Sequence, residues 1–383
     1  MGKINISVAR IRDFVNYAIG SDMHAKRVLS LGNAVAGSLS TAALAIHTIG
    51  LGLSKIAGLQ SKHAIKQVDR LISNEGINVW HLFGAWVPFV IGARKSIMVA
   101  LDWTEFDADD QSTISLNMIT SHGRATPLMW MTVKKSELKN KRNAHEDKLL
   151  GRLREILPEY LKVTILADRG FGDTKLYQEL NELGFDYIIR FRENILLTNE
   201  KKESKLAREW VPSNGRAKKF INASVTGQNV TVPVVVVVKA AKMKESWCLA
   251  CSDVAMGSQA IVKAYGRRFS IEENFRDVKD IRFGMGLSST RISQSERRDR
   301  LLLVSALAVA FFTVLGAAGE RIGLDAKFKA NTVKKRTHSL YRQGCMYYEC
   351  LPTMREGWAR PLMQAFEEIL LSLNVVQEMM GVI

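Results

Sequence analysis

Cysteine is scarce in this chain, with only Cys248, Cys251, Cys345 and Cys350 among 383 residues. That is too few for a disulfide scaffold, and with no secretory leader expected, a reducing cytoplasmic compartment is the expectation. Cys248-x-x-Cys251 supplies half a zinc site at most, because it lies in the strand-like run Ser-Trp-Cys-Leu-Ala-Cys and the other pair has no histidine support. Buried thiols are the competing reading. Acidic residues are also in deficit: 38 Asp and Glu against 54 Lys and Arg leave a net charge of +16, which points to polyanionic partners. With 47% apolar and 24% charged residues the chain is neither disordered nor collagen-like, and its 383 residues exceed one compact core. Long apolar runs are reduced to one, Leu301 to Ala318, broken only by Ser305 and Thr313. It is long enough to span a bilayer, but arginines flank both ends and give no inside or outside bias; a helix buried in a large core is expected.

Residues 1 to about 75 read as helical, with Gly and Ser punctuation and no strand alternation. Ser61 is placed as the N-cap of a helix from Lys62 to about Ser73, with Ile65, Val68 and Ile72 on one face and Lys62, Lys66 and Arg70 on another. A short upstream helix around Ser40 to Ile49, a Gly-containing turn and this basic helix form a helix-turn-helix pattern. A charge stripe is also what a merely solvated face looks like.

From Lys95 the periodicity changes to strands. Ser96 to Trp103 is a buried apolar run reaching Asp102, Ser112 to Ile119 alternates, and a turn at His122-Gly-Arg124 leads to a strand from Pro127 to Val133. A helix near His145 to Leu157 precedes the strand Val163 to Asp168, and a helix from Thr174 to Leu183 precedes the strand Tyr187 to Arg192. The order β-β-β-α-β-α-β describes a mixed sheet with helices packed on it. A polar stretch after Asn194 gives way to the strands Val232 to Lys239 and Glu245 to Ala250, a β insertion. Helical periodicity returns from Ser258 to about Asp280 and, beyond a loop at Arg282 to Ser295, continues to the carboxyl terminus.

Two strands that end in Asp102 and Asp168 would, if neighbours, hold two carboxylates at one sheet edge. Such a pair is tolerated mainly where it shares protons or binds a divalent cation, although either Asp taken alone reads first as a strand-end or turn residue bonded to its own backbone. Asp107, Asp109 and Asp110 belong to a hairpin turn, and Asp173 to a helix N-cap. Tyr265, Arg268, Glu272 and Lys279 are spaced three, four and seven residues apart, within an arc of roughly 60 degrees on an ideal helix. That face could carry simple ion pairs, or donors for a phosphate backbone passing a metal-bound scissile bond.

These residues resemble the DDE transposases of bacterial insertion sequences. The resemblance lies in the cut-and-paste subgroup with the signature Tyr-x2-Arg-x3-Glu-x6-Lys. Tyr265-Gly-Arg-Arg268-Phe-Ser-Ile-Glu272-Glu-Asn-Phe-Arg-Asp-Val-Lys279 fits that signature without a gap. Leu101-Asp102-Trp103-Thr104 and Ala167-Asp168-Arg169-Gly170-Phe171 resemble the first and second Asp motifs, and Gln60 to Leu71 and Ala330 to Lys334 carry the likeness over essentially the whole chain.

What the resemblance implies is an α/β, ribonuclease H-like mixed-sheet catalytic core with a β-rich insertion. An α-helical amino-terminal DNA-binding region and an α-helical carboxyl-terminal region would flank it. The implied division is 1–90 for transposon-end binding, 91–193 and 253–318 for the two parts of the core, 194–252 for the insertion, and 319–383 for dimerisation and DNA contact. Asp102, Asp168 and Glu272 would hold two Mg2+ ions, with Mn2+ an expected substitute, for nicking, hairpin formation and opening, and strand transfer into target DNA. Arg268 and Lys279 would clamp phosphates, Tyr265 would hydrogen-bond one, and Trp247 would receive an unstacked base unless it is simply a buried strand residue. Arg190 and Arg192 would reach the backbone, the helix carrying Lys62, Lys66 and Arg70 would read the terminal inverted repeat, and Lys334, Lys335 and Arg336 would add a phosphate surface. The implied partners are transposon-end DNA, target DNA and a second copy in a homodimeric synaptic complex, with no membrane. The competing reading is a non-catalytic DNA-binding relative that represses or inhibits transposition.

Overall fold

The computed structural model describes residues 6–371; the helical expectation for 372–383 lies outside the described residues. Five helices open the chain: α1 (Val8–Ile19), α2 (Ala25–Thr41), α3 (Ile46–Ala57), α4 (Ser61–Ser73) and α5 (Val79–Ile91). The helix expected at Ser40 to Ile49 is not there. Ala42, in the left-handed region at φ 48°, ends α2, and α3 starts afresh at Ile46. The helix-turn-helix pair is therefore α3 and α4, joined by Gly58, Leu59 and Gln60, with Gly58 at φ 65° closing α3 as a glycine does at low cost. Ser61 is the first residue of α4 and not its cap: Gln60 occupies that position, and the Ser61 hydroxyl meets that of Ser54 at 3.1 Å.

The middle of the chain forms the sheet. In order come β1 (Ser96–Phe106), β2 (Gln111–Met118), β3 (Thr126–Lys134), α6 (Arg142–Ile156), β4 (Lys162–Ala167), α7 (Thr174–Glu182) and β5 (Asp186–Phe191). Then follow β6 (Leu196–Thr198), β7 (Ser204–Leu206), β8 (Lys218–Val225), β9 (Val230–Val238) and β10 (Trp247–Cys251). All ten strands join in one sheet of order β3-β2-β1-β4-β5-β10-β9-β8-β6-β7. β1, β4 and β5 run parallel and the remaining pairings are antiparallel. The ribonuclease H-like arrangement is the half from β3 to β5; the insertion strands extend that sheet edge to edge through β10.

Strand alternation divides the core into two layers. Val99, Leu101, Ile165 and Ile189 face α6 and α7, while Ala100, Leu166, Ile188 and Leu249 face a helical segment made of α8 (Ser258–Gly266) and α9 (Ser270–Lys279). The same alternation settles the cysteine pair. Cys248 and Cys251, three apart in β10, fall in opposite layers as fully buried thiols whose titration burial pushes up to about 12 and about 11, so they cannot share a zinc ion.

The long apolar run is the centre of α10 (Ser295–Arg321), a helix long and apolar enough to cross a membrane yet covered over nearly its whole apolar stretch by the protein. α2, β3, α11 (Leu340–Cys350) and α12 (Glu356–Leu371) pack around it. α10 and α11 meet backbone to backbone at Gly316 and Gly344, where any Cβ would press on the Leu340 and Phe312 carbonyls. Between α10 and α11 the expected continuous helix gives way to a 3-10 turn, Leu324–Phe328, and an irregular stretch through His338.

Candidate active site

Asp102 is not a strand end: β1 runs on to Phe106. It is the parallel neighbour β4 that stops, at Ala167, and the register Leu101 with Ala167 places Asp102 beside Asp168, the next residue of each chain. Asp102 follows Ala100 in alternation and Asp168 follows Leu166, so both carboxylates lie on the face covered by α8 and α9. Asp168 Oδ1 accepts from the Gly170 amide at 2.7 Å, and Asp102 Oδ1 from the Trp103 amide at 2.9 Å. Each therefore makes the backbone bond expected of an isolated strand-end Asp, and Asp168 still acts on Asp102 through its charge.

The expected single helical face is broken. α8 and α9 are separated by a 3-10 turn at Arg267–Phe269, which winds Arg268 inward until it is 4% exposed. Its guanidinium donates to Asp102 Oδ2 at 3.1 Å and to Glu272 Oε1 at 2.8 Å, bridging the first and third acids. Burial pushes the Asp102 carboxyl up to about 6; Arg268 opposes this, while Asp168 and Glu272 add to it. Three carboxylates therefore act on one another across a single cation.

Lys279 leaves this group. Its ammonium donates to Thr104 Oγ1 at 3.0 Å and the Glu105 carbonyl at 2.7 Å and lies over the Phe106 ring, and burial lowers its pKa. Tyr265 is 1% exposed, its ring edge-on to Trp247 at 4.9 Å, and burial raises its phenol. Trp247 opens β10 half-buried, held between Tyr265 and Phe269.

Arg190 and Arg192 leave β5 on the same face as the two Asp residues. Arg190 donates to Glu245 at 2.7 Å and to the Ser246 carbonyl at 3.1 Å, whereas Arg192 is exposed. An open cleft of about 230 Å3 gathers them with Arg169 and Arg208. Sequence reasoning passed over those two: Arg169 had only its place after Asp168 as a signal, and Arg208 lies in a stretch without periodicity. Lys62, Lys66 and Arg70 form an exposed stripe on α4, backed by buried Ala64, Val68 and Ile72, with Ile65 half-buried between the two faces. They belong to another part of the molecule than the acids. Lys334 and Lys335 are exposed in the irregular stretch before α11, but Arg336 is held by Glu320 in a two-point ion pair at 2.8 and 2.6 Å.

Among the described residues, no three His, Cys, Asp or Glu side chains are gathered closely enough to hold a metal as they stand. Arg268 is interposed between two of the acids. The donor set nonetheless fits a hard divalent cation: three carboxylates, oxygen only, with Asp102 raised first by burial and further by its fellow acids.

Residues 97–309, more than half of the chain, match the family model for the transposase DDE domain. No curated protein matches the chain. The matched span begins within β1, spans the sheet and α8 and α9, and ends within α10: the chain belongs to the DDE transposase family.

Proposed function

We propose that this protein is a cut-and-paste transposase of the Tyr-Arg-Glu-Lys subgroup, acting at the ends of its own insertion sequence through Asp102, Asp168 and Glu272. The observation that carries the reading is the β1–β4 register, which sets Asp102 beside Asp168 with Glu272 tied to Asp102 through Arg268. Structure alone has little reason to bring three acids to one cation, because each added carboxylate raises the cost of ionising the next.

Transposases of this family use divalent metal ions, and two Mg2+ ions on these carboxylates would activate the attacking water or 3'-hydroxyl and stabilise the leaving 3'-oxygen. The chain's own residues do the rest. Arg268, released from the acids, supplies a bidentate phosphate donor, Tyr265 a hydroxyl beside it, and Arg190 and Arg192 a backbone contact on the same face. Lys279 reaches a phosphate only by leaving Thr104. Trp247, half-buried with its ring tilted against Phe269 on one side, offers a platform for an unpaired base during hairpin formation. The α4 stripe reads the terminal inverted repeat, Lys334 and Lys335 add phosphate contacts, and a homodimer pairs the two ends.

The test is cleavage of a labelled duplex carrying the element's own end with Mg2+, comparing wild type with Asp168→Ala and Glu272→Ala. Nicks and hairpins that depend on metal and vanish in both variants, with end binding kept, are the expected outcome. Tight end binding without cleavage by the wild type, in Mn2+ as well, would instead make the protein a non-catalytic inhibitor of transposition.

A further inference from the structure

The sheet edge that holds the acids has a second side. Trp103, next to Asp102, points by alternation to the opposite face. There its indole donates to buried Glu146 at 2.9 Å, and the Arg142 guanidinium lies 5.1 Å from the ring. Both partners stand at the amino-terminal end of α6. The end of β3, the loop entering that helix and its first turns hold Lys134, Lys135, Lys139, Lys141, Arg142 and Lys148, every one exposed. An open cleft of about 780 Å3 is lined there by Lys135, Lys139, Arg142 and Lys175 with Asn140 and Asn143, against one acid, Asp147.

Part of this charge is already used: Lys135 and Arg142 share Glu105, and Lys135 also meets Asp107. Among the described residues no carboxylate forms an ion pair with Lys139, Lys141 or Lys175. His145 registers the surplus: burial first, then Lys148 and Lys141, lower its pKa. The cleft also joins the edge of the site, since Asn143 donates to Asp173 at 3.0 Å, five residues beyond Asp168.

We infer that this cleft is a second phosphate-binding surface for duplex DNA. It takes the DNA that continues past the carboxylates on the α6 side of the sheet, opposite Arg190, Arg192 and Trp247. A duplex whose scissile phosphate sits at the acids must leave the site in two directions, and α6 supplies cations and amide donors along the second. The inference rests on the transposase reading. Its two DNA sources, the flank of the element and the target, share one backbone chemistry.

The test uses the full-length protein and the surface triple variant Lys139→Gln/Lys141→Gln/Lys175→Gln, with a Lys62→Gln/Lys66→Gln/Arg70→Gln variant as control and circular dichroism to confirm folding. Anisotropy with a labelled mixed-sequence duplex of about three helical turns, titrated from about 50 to about 200 mM KCl, reads affinity and its salt slope. The cleft variant is expected to bind roughly tenfold to a hundredfold more weakly, with the log–log slope shallower by about two to three. Wild-type affinity and slope in the cleft variant, with the control still weakened, would overturn the inference alone. A wild type that binds no duplex would overturn the transposase reading with it. Given the loss on the mixed-sequence duplex, a further loss that appears on end duplexes only when they carry about two turns of outside DNA assigns the cleft to the flank. A further loss that appears only in capture of an unlinked duplex by end-bound protein assigns it to the target.

Discussion

Two arginines of this protein are almost wholly buried against acids of the same strand and the turn that follows it, and they do opposite things. Arg298, on α10, is fully buried; it reaches Asp109 in the β1–β2 turn and Gln111 at the start of β2, and lies 3.9 Å from the Phe106 ring centroid. Arg268 is 4% exposed and reaches Asp102 and Glu272, with Asp168 close enough to act on both Asp102 and Arg268. The first cation meets one paired acid, and the second meets an excess of them. A buried ion pair near balance holds a hairpin to a helix; a buried cation outnumbered by acids holds a place that another cation can take.

The largest effect expected from this contrast is on stability at the structural pair. Asp109→Ala leaves Arg298 charged and unpaired in the core and should cost about 3–5 kcal/mol, read as a fall in the urea midpoint with an unchanged slope. Asp102→Asn should run the other way. The Asp102 pKa is raised to about 6 in the fold, so its contribution to stability is complete below the unfolded value near 4 and is lost as pH rises through about 6. The metal-free wild type should therefore lose at most about 3 kcal/mol between those limits, while Asp102→Asn stays flat and unfolds later at pH 7. Equal destabilisation by both substitutions would erase the distinction between the two arginines.

A finer measurement asks what Arg268 competes with. Arg268→Gln removes the cation between Asp102 and Glu272, and Mn2+ affinity measured by calorimetry should tighten about tenfold, equivalent to about 1.4 kcal/mol. Weaker Mn2+ binding in that variant would mean that Arg268 positions the acids instead of standing in their way.

How much of this was legible in the sequence depended on the range of the interactions involved. An unbroken apolar run marks β1 and period-two alternation marks β2, and the structure buries Ile97, Val99 and Leu101 of the one and Ile114, Leu116 and Met118 of the other. The family resemblance placed the acids, but local pattern misplaced what surrounds them. Asp102 reads as a strand end because the sequence cannot say that β1 outruns β4 by five residues beyond Leu101. Arg268 and Lys279 fall on one helical face by spacing because a 3-10 turn leaves no mark in a three-four-seven pattern. The turn acids were read as local; that Asp109 anchors an arginine 189 residues away is a tertiary fact. Ser61 had the right chemistry for a cap one position too late.

The smallest expected effect sharpens the same contrast at the surface, where charge is cheap to place and its role is hardest to read. Lys334 and Lys335 are exposed and Arg336, their neighbour, is held by both oxygens of Glu320. If the two lysines meet phosphate, Lys334→Gln/Lys335→Gln should leave the unfolding midpoint unchanged and make the salt dependence of DNA binding shallower by up to about two on the log–log slope. Arg336→Gln should do the reverse. It removes an ion pair whose two side chains are about one-third exposed, so it should cost at most about 1 kcal/mol and leave the salt slope unchanged. A change of slope in Arg336→Gln and none in the lysine pair would exchange the two assignments: the bidentate pair would open onto DNA, and the free lysines would be ordinary solvated charge.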